Sequence, residues 1–206
     1  MVKIIDLKKY RIIDLTQEIR PGVHKVNGEY SHRYGEPPYG TRRLELRQYI
    51  TTLDYHFMHW IETETHIGTH VEVPYHLRIN AKEGGKSVSE FPVEKWIGDA
   101  IVLNFSHKKP IKGKRQPITV EDLKGVRDGD IVILWSTYKG EEKPYLTVDA
   151  VEFLIKKKIK QLGWDDIIGI ALEEGIEGHN RILLNDIPLI EGLVNLERIK
   201  KERVYY

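Results

Sequence analysis

Length, composition and charge exclude several classes of protein. The chain has 206 residues, with 32 Lys and Arg against 31 Asp and Glu, and a formal net charge of +1. This length suits one well-buried domain, so we expect residues 1–206 to form a single domain. The even charge balance gives no electrostatic reason to expect nucleic acid or a membrane surface as a partner. The absence of cysteine excludes disulfides, thiolate metal sites and cysteine nucleophiles.

The N-terminus shows no recognisable targeting segment. Its first residues, Met1–Asp6, lack the long apolar core of a signal peptide. No apolar run approaches the ~20 residues of a membrane-spanning helix. We therefore expect a cytoplasmic protein.

The first half of the chain has the pattern of strands and loops. Ile12–Thr16 and Thr41–Leu53 have the apolar content of strands, whereas Pro21–Gly40 is rich in Gly, Pro and Tyr and predicts a loop. Phe57 and Trp60 fit either an aromatic pocket or, as aromatic residues do more often, the core.

A dense cluster of polar side chains follows, between His66 and His76. The four candidate ligands all fall at even positions: His66, His70, Glu72 and His76. Alternate residues of an extended chain share one face, so all four side chains can point into one cavity. Gly68, the β-branched residues and Pro74 oppose a helix. A flat strand would hold the Cα atoms of His66 and His70 ~13 Å apart, so we expect a strand, a bend at Gly68 and a loop stiffened by Pro74.

Histidine and carboxylate at this spacing indicate a metal site. They are the ligands expected of a catalytic zinc, and a ligand set short of closed coordination leaves room for water. The alternative is a polar strand with scattered histidines, of which the chain has nine. The same-face spacing of Gly68, Glu72 and His76 favours the metal interpretation.

The second half of the chain alternates buried strands with helices. Three stretches have the continuous apolar content of buried strands: Ala100–Phe105, Ile131–Trp135 and Ile167–Ala171. A helix is predicted from about Val148 to Leu162, with Thr147 as its cap and Gly163 as its stop. A shorter helix begins at the capping-box pattern of Thr119–Asp122. Strand, helix and strand in this order predict a crossover unit beside a more antiparallel first half, and hence a mixed α and β domain.

Two polar residues near the C-terminus lie beside apolar stretches. His179 precedes an apolar stretch, and Glu191 lies among Leu189, Ile190 and Leu193. A buried carboxylate needs a charged partner or an ion, which favours a functional role for Glu191. The alternative makes His179 the first residue of a short helix and Glu191 a charged residue before a turn.

The stretch His66–His76 resembles the His-x-Gly-Thr-His-x-Asp-x-Pro-x-His signature of the metal-dependent cyclase family, which includes bacterial kynurenine formamidases and isatin hydrolases. His179 and Glu191 match that family in residue type and spacing. Two positions differ: Glu72 stands where the family has aspartate, and Ala171 stands where relatives often carry aspartate after Ile-Gly-Ile. The resemblance implies an α/β fold, a swivelling β/β/α single domain with a mixed sheet. His56 and His59, which precede the signature, are expected not to be ligands.

The resemblance also implies which residues hold metal. The ligands of a first ion would be His66, His70 and Glu72, and those of a second would be Glu72, His179 and Glu191. Glu72 would bridge the pair. Zinc, with two ions per chain, is the first choice, and manganese is the alternative if the site is rich in oxygen ligands. His76, outside this ligand set, would be the catalytic residue that carries a proton to the leaving group.

The implied activity is hydrolysis of a carbon–nitrogen amide bond outside peptides, with metal-activated water as the nucleophile. The small-molecule substrate would be an aryl formamide such as N-formylkynurenine, or a cyclic amide, and the enzyme would be a homo-oligomer (dimer or tetramer). Two other classes stay open: a metal-dependent cyclase or dehydratase, and a catalytically inactive protein that binds a metal or small molecule on the same fold. A nucleophilic-triad hydrolase is not expected, because the chain contains no Gly-x-Ser-x-Gly elbow.

Overall fold

Strands outnumber helices in the part of the chain that the computed structural model describes, residues 7–25, 30–31, 41–50, 57–77, 85–165 and 176–206. In chain order the strands are β1 Gly22–Lys25, β2 Tyr30–Ser31, β3 Thr41–Ile50, β4 Phe57–Thr63, β5 His70–Glu72, β6 Asp99–Asn104, β7 Pro117–Ile118, β8 Ile131–Trp135, β9 Tyr145–Leu146, β10 Gln161–Trp164, β11 Leu189–Glu191 and β12 Arg203–Tyr205. The α-helices are α1 Val148–Lys156 and α2 Ile176–Leu184. Neither of these helices has the length and apolar content needed to cross a membrane, and none other does in the described residues.

A six-stranded mixed sheet organises the second half of the chain. Its order is β12-β6-β8-β10-β11-β5, with parallel pairing from β6 to β11 and an antiparallel strand at each edge. The strands predicted at residues 100–105 and 131–135 are confirmed as β6 and β8. Because β8 is buried on both faces, its sequence is a continuous apolar run rather than an alternating one. The predicted α/β class with a mixed sheet is confirmed.

Apolar cores cover both faces of this sheet. On one face Leu134 packs with Leu154 of α1 and Leu183 of α2. On the other face Ile133 and Ile190 pack with residues that follow β11. Burial of one such leucine or isoleucine contributes roughly 1.5–3 kcal/mol. The two-sided core therefore makes this sheet a rigid base for side chains at its edge.

The predicted strand–helix–strand crossover forms from β8 through α1, but it returns to the sheet at β10, and the predicted end of its helix is wrong. The Thr147 side chain caps α1 by accepting a backbone N–H of the first turn. The helix ends at Lys156, and Lys158 turns the chain at φ +48°. Leu162 then pairs with Val132 in the sheet. Apolar residues at helical spacing continue past Lys156, which is why the pattern extended the helix. The strand predicted at residues 167–171 lies outside the described residues.

A short helix begins where the Thr119–Asp122 pattern predicts it. The capping box forms in both directions between these two residues, and the 3₁₀ helix spans Val120–Leu123. The prediction of a short helix at this position is confirmed.

A separate antiparallel sheet, in the order β2-β1-β3-β4, comes from the first half of the chain. The strand predicted from Thr41 to Leu53 is confirmed over Thr41–Ile50, and residues 51–56 lie outside the described part. The loop predicted over residues 21–40 is wrong where β1 and β2 form. All seven residues of β4 are exposed, so the core alternative for Phe57 and Trp60 is wrong.

Residues 11–20, which we call the strap, lie against the chain that follows β11. The Leu15 carbonyl accepts the Val194 N–H, and the Asp14 carbonyl accepts the Asn195 side-chain amide. The strand predicted at Ile12–Thr16 is wrong, because in the described residues this single backbone bond does not extend into a ladder.

Candidate metal centre

The stretch from His66 to His76 bends at Gly68, as the sequence predicts. Gly68 has φ +61°, and Pro74 opens a 3₁₀ turn that ends at His76. A Cβ atom on Gly68 would lie 2.5 Å from Cγ2 of Ile19, so the close approach of the strap also requires glycine here. The short strand β5, between the bend and the turn, was not predicted separately. Together the bend, the strand and the turn fold the chain back on itself, so that its polar side chains form one cluster.

Glu72 is the centre of this cluster, and its side chain is only 5% exposed. Its Oε1 lies 2.8 Å from Nε2 of His66, and its Oε2 lies 2.7 Å from Nε2 of His179. His70 and His76 approach the same carboxylate at 3.8 and 3.7 Å, beyond hydrogen-bond distance. One buried carboxylate therefore faces four imidazoles.

Two further elements complete the cluster. Strand β11 pairs antiparallel with β5, which sets Glu191 opposite His70. Directly opposite side chains share one face of a sheet. The distance from Nε2 of His70 to the nearer Glu191 oxygen is accordingly 3.8 Å. Helix α2 contributes His179 from its second turn. Ligand candidates from distant parts of the sequence thus meet at the β5 edge of the sheet.

The outer nitrogens of three imidazoles have partners of their own. His70 Nδ1 lies 3.0 Å from the Gly68 carbonyl oxygen, and His179 Nδ1 lies 3.2 Å from the side-chain oxygen of Asn180. Both oxygens accept, so Nδ1 carries the proton in each ring. His66 Nδ1 lies 2.9 Å from the Thr65 hydroxyl. Such partners fix ring orientation and leave each Nε2 directed at the centre, as in metal-binding histidines.

The chemistry of the donors fits a metal ion. Nε2 of His70 is buried and has no hydrogen-bond partner in the described structure, although two carboxylates lie 3.8 Å from it. A buried polar atom without a partner is costly unless an ion or water satisfies it. Two overlapping groups have ligand atoms within 4.8 Å of one another: His66, Glu72 and His76, and His70, Glu72 and Glu191. Imidazole and carboxylate together suit zinc and manganese.

Burial and hydrogen bonds determine the charges in the cluster. Burial raises the pKa of the Glu72 carboxyl, but the hydrogen bonds from His179 and His66 outweigh burial and hold that pKa well below its ordinary value. Burial lowers the pKa of His179, and the bond to Glu72 outweighs it, so that pKa is raised overall. The pKa of His76 is lowered, chiefly by burial. The metal-free cluster therefore favours an ion pair at His179 and a neutral imidazole at His76.

The two donor groups differ in their access to solvent. The side chains of His66 and His76 are 29% and 37% exposed, whereas those of His70 and Glu191 are both 8% exposed. A small molecule approaching from solvent therefore meets His66 and His76 first.

All six residues proposed from the sequence as ligands or catalytic residue lie in this cluster: His66, His70, Glu72, His76, His179 and Glu191. Their division into two ligand sets stays a prediction. By distance, His76 groups with His66, and Glu191 groups with His70. His59 lies exposed on β4, and His56 lies outside the described residues. No sequence pattern indicates the outer partners Thr65 and Asn180, because their role depends on contacts with the rings.

The residue that directly follows β10, Gln161–Trp164, is Asp165. Ala171 and the strand predicted at residues 167–171 lie outside the described residues, so that strand stays a prediction. The Asp165 carboxylate binds the fully buried Lys143 ammonium and accepts the backbone N–H of Ser136. An acidic residue is therefore present at the carboxyl end of β10.

This chain is similar to a known protein family and to single known relatives. A family model described as "Cyclase: Putative cyclase" matches residues 13–168. Kynurenine formamidase from Bacillus thuringiensis subsp. konkukian (strain 97-27) is 24% identical over 136 residues, which are 63% of this chain. The matched region spans 61% of the length of that relative.

Solved structures with the same fold cover nearly the whole chain. Isatin hydrolase A from Ralstonia solanacearum has a TM-score of 0.69 at 19% identity, covering 94% of this chain and 82% of that one. A potential metal-dependent hydrolase with cyclase activity has a TM-score of 0.63 at 23% identity, covering 93% and 85%. At these identities the likeness establishes the fold.

Proposed function

This chain belongs to the cyclase family of that model, and from this premise we propose that it is a metal-dependent hydrolase of a carbon–nitrogen amide bond outside peptides. The observation that carries the proposal is the buried, unpartnered Nε2 of His70 between Glu72 and Glu191. If this cluster were only a polar core, we would expect a hydrogen-bond partner for this nitrogen or an apolar residue in place of His70. Leaving the nitrogen unsatisfied costs about 1–3 kcal/mol.

The residues that we propose would hold metal are His66, His70, Glu72, His179 and Glu191. Two ions per chain would both have Glu72 as a ligand. Zinc is the first choice and manganese the alternative. A divalent ion supplies Lewis-acid polarisation of a carbonyl and lowers the pKa of water toward neutrality. The protein's part is to hold its donors without their protons, and the low pKa of Glu72 suits this requirement.

His76 is proposed as the proton carrier. Its side chain is more exposed than those of His70 and Glu72, so it can touch a substrate. Its lowered pKa favours a neutral imidazole near neutral pH, whose unprotonated ring nitrogen could take a proton from the attacking water and deliver it to the leaving nitrogen. A proton carrier of this kind must be neutral before water attacks the carbonyl and cationic before the amine leaves. The nearby Glu72 carboxylate, 3.7 Å away, stabilises the cationic state.

The proposed substrate is a small aryl formamide, such as N-formylkynurenine, or a cyclic amide. Support comes from the names of the similar proteins, a kynurenine formamidase and an isatin hydrolase. The partly exposed His66 and His76 form an open approach that suits a small molecule.

Turnover by the zinc-loaded and manganese-loaded protein should be measured on an aryl formamide, a cyclic imide, an isatin and a lactone. The proposal predicts release of formate or ring opening with at least one amide and no activity in the presence of a chelator. Turnover of none of the amides by protein that does bind metal would contradict it and favour an inactive metal-binding protein. Loss of water from a linear hydroxy or keto acid would instead identify a dehydratase.

We also propose that the chain forms a dimer through β4. This strand is an edge of its sheet, and it exposes Phe57, Trp60 and Ile61 to 65, 63 and 65%. With Met58 these side chains expose on the order of 500 Å² of apolar surface, divided between the two faces of β4. An antiparallel edge strand can pair with its own copy across a two-fold axis, which brings the apolar side chains of both copies together on each face.

Sedimentation velocity tests the dimer. Trp60→Lys with Ile61→Lys places a charge on each face of β4, because neighbouring residues point to opposite faces. We expect a dimer for the wild type, a monomer for this variant and unchanged metal content in both. Val93→Lys is the matched control, since Val93 is 70% exposed and lies outside β4. A wild-type monomer, or a variant that stays dimeric, would contradict the proposed interface.

A further inference from the structure

The ladder between β5 and β11 stops beside the metal centre. Its last pair is Glu191 with His70, so the next pair in register would be Gly192 with Thr69. Gly192 leaves the strand at φ +72°. The backbone bonds of the ladder are therefore not continued at the point where two proposed ligands face each other.

The Thr69 side chain spans this gap. Its hydroxyl lies 2.6 Å from the Gly192 carbonyl oxygen and 2.7 Å from the Gln17 backbone nitrogen, which donates to it. The Leu15 carbonyl is also near, at 3.5 Å. A hydroxyl has one hydrogen to donate, and the shorter distance assigns it to Gly192. One side chain thus donates to the chain after β11 and accepts from the strap.

The position of Thr69 in the sequence connects these bonds to the ligands. On one side is Gly68, whose carbonyl accepts Nδ1–H of His70, and on the other is His70 itself. The carbonyl that Thr69 binds belongs to Gly192, the residue directly after Glu191. The hydroxyl therefore joins the backbones that carry His70 and Glu191, one residue from each ligand.

We propose that Thr69 is a positioning residue of the metal centre: its hydroxyl replaces the missing ladder bond and holds His70 and Glu191 at the separation that an ion requires. The proposal rests on the proposed function, since it presumes that these two residues bind metal. Threonine suits the role because the hydroxyl both donates and accepts, whereas an isosteric valine does neither.

Zinc affinity of the full-length protein, measured by competition with a chromogenic chelator, tests the proposal. Thr69→Val should weaken binding of at least one zinc equivalent by roughly 10–100-fold, the usual effect of losing an outer partner of a metal ligand. Thr69→Ser keeps the hydroxyl and should stay within about threefold of the wild type.

The matched control is Thr147→Val. Thr147 is also a partly buried threonine with a two-sided hydroxyl, which accepts from Ala150 N–H and donates to the Ile118 carbonyl. Loss of this cap should lower the thermal unfolding temperature while zinc affinity stays at the wild-type value. An equal loss of affinity in both valine variants would overturn the proposal, because the effect would then be one of general stability.

The remaining outcomes separate the two proposals. Wild-type zinc affinity in Thr69→Val, or a loss of affinity in Thr69→Ser, overturns the role of Thr69 and leaves the proposed function intact. A wild-type protein that binds no zinc or manganese overturns both. If Thr69→Val does not fold, Thr69→Ala takes its place with the same expected loss. Failure of both to fold while Thr147→Val folds would show that the hydroxyl serves the whole fold, which also overturns the proposal.

Discussion

The metal centre and the sheet that contains β4 are adjacent in sequence and opposite in character. At the centre, charged side chains such as Glu72 and Glu191 are buried at the edge of a two-sided core. Six residues before His66, Trp60 lies in a strand in which every residue is exposed. The first region buries polar atoms, and the second exposes large apolar ones.

Both the buried polar atoms and the exposed apolar side chains cost free energy in an isolated chain. Each arrangement therefore indicates a binding partner. A buried nitrogen without a partner is satisfied by an ion or a water, and exposed apolar side chains on an edge strand suit contact with another protein surface. The comparison therefore predicts that the two regions depend on different partners and respond separately to mutation.

The largest effect is expected at the centre itself. Glu72→Gln keeps the shape of the side chain but removes the charge that faces four imidazoles. Metal affinity should fall by more than the ~10–100-fold that follows loss of an outer partner, and turnover should fall with it. Elemental analysis after zinc loading checks the first effect, and retention of the dimer by sedimentation checks that the β4 sheet is unaffected. Wild-type metal content in this variant would contradict the central place of Glu72.

His76→Ala separates a proton carrier from a ligand. As a proton carrier, His76 contributes ~10²-fold or more to turnover, and its removal leaves metal content unchanged. The distances also allow His76 to be a metal ligand, since it lies in one donor group with His66 and Glu72. Measurement of kcat and zinc content on the same sample distinguishes a proton carrier from a ligand. Zinc lost together with turnover would make His76 a ligand and contradict the role proposed for it.

Stability should differ between the regions in size and in its dependence on concentration. Leu154→Ala, in the core beside the large sheet, should cost about 2–5 kcal/mol of unfolding free energy at any protein concentration. Ile61→Ala should cost no more than about 0.5 kcal/mol in the monomer, and should weaken the protein further only where the dimer is populated. Chemical denaturation at several concentrations measures both. A large loss for Ile61→Ala in the monomer would mean that β4 packs within its own chain.

The smallest effect concerns pH and has opposite signs with and without metal. In the metal-free protein the raised pKa of His179 stabilises the fold below the unfolded value of about 6.5, and this contribution is lost as pH rises through the raised pKa. Metal needs the unprotonated ring, so its contribution grows over the same rise in pH. We expect the unfolding temperature of the metal-free wild type, relative to His179→Gln, to fall from about pH 5.5 to pH 8.5, and zinc affinity to increase. A metal-free difference that rises with pH would contradict the ion pair with Glu72.

Sequence reasoning found the site because the ligands leave a local signal. The even spacing from His66 to His76 and the bend at Gly68 follow from the geometry of an extended chain. The apolar run of β8 likewise predicts a strand buried on both faces. Glu191 was predicted from its match to the cyclase family in residue type and in spacing from His179, and its apolar neighbours supported a functional role.

The features that sequence reasoning missed depend either on contacts between distant residues or on a choice between the helical and the strand periodicity of apolar residues. The predicted helix extends past Lys156 because Leu162 fits a helical stripe as well as a strand, whereas the structure places Leu162 in β10. The bond from Thr69 to Gly192 depends on where two strands part. Such a position is set by the packed sheet and has no local pattern.

The most direct test of the central claim is the metal content per chain, measured by elemental analysis on protein purified without chelators and again after zinc or manganese loading. The two proposed ligand sets, which share Glu72, predict about two equivalents. One equivalent should be lost in His179→Gln or Glu191→Gln, because both residues belong to the second set. One equivalent that survives both substitutions would confine the site to His66, His70 and Glu72. No bound metal under any loading would contradict the account, because the unpartnered nitrogen of His70 would then have no ion to explain it.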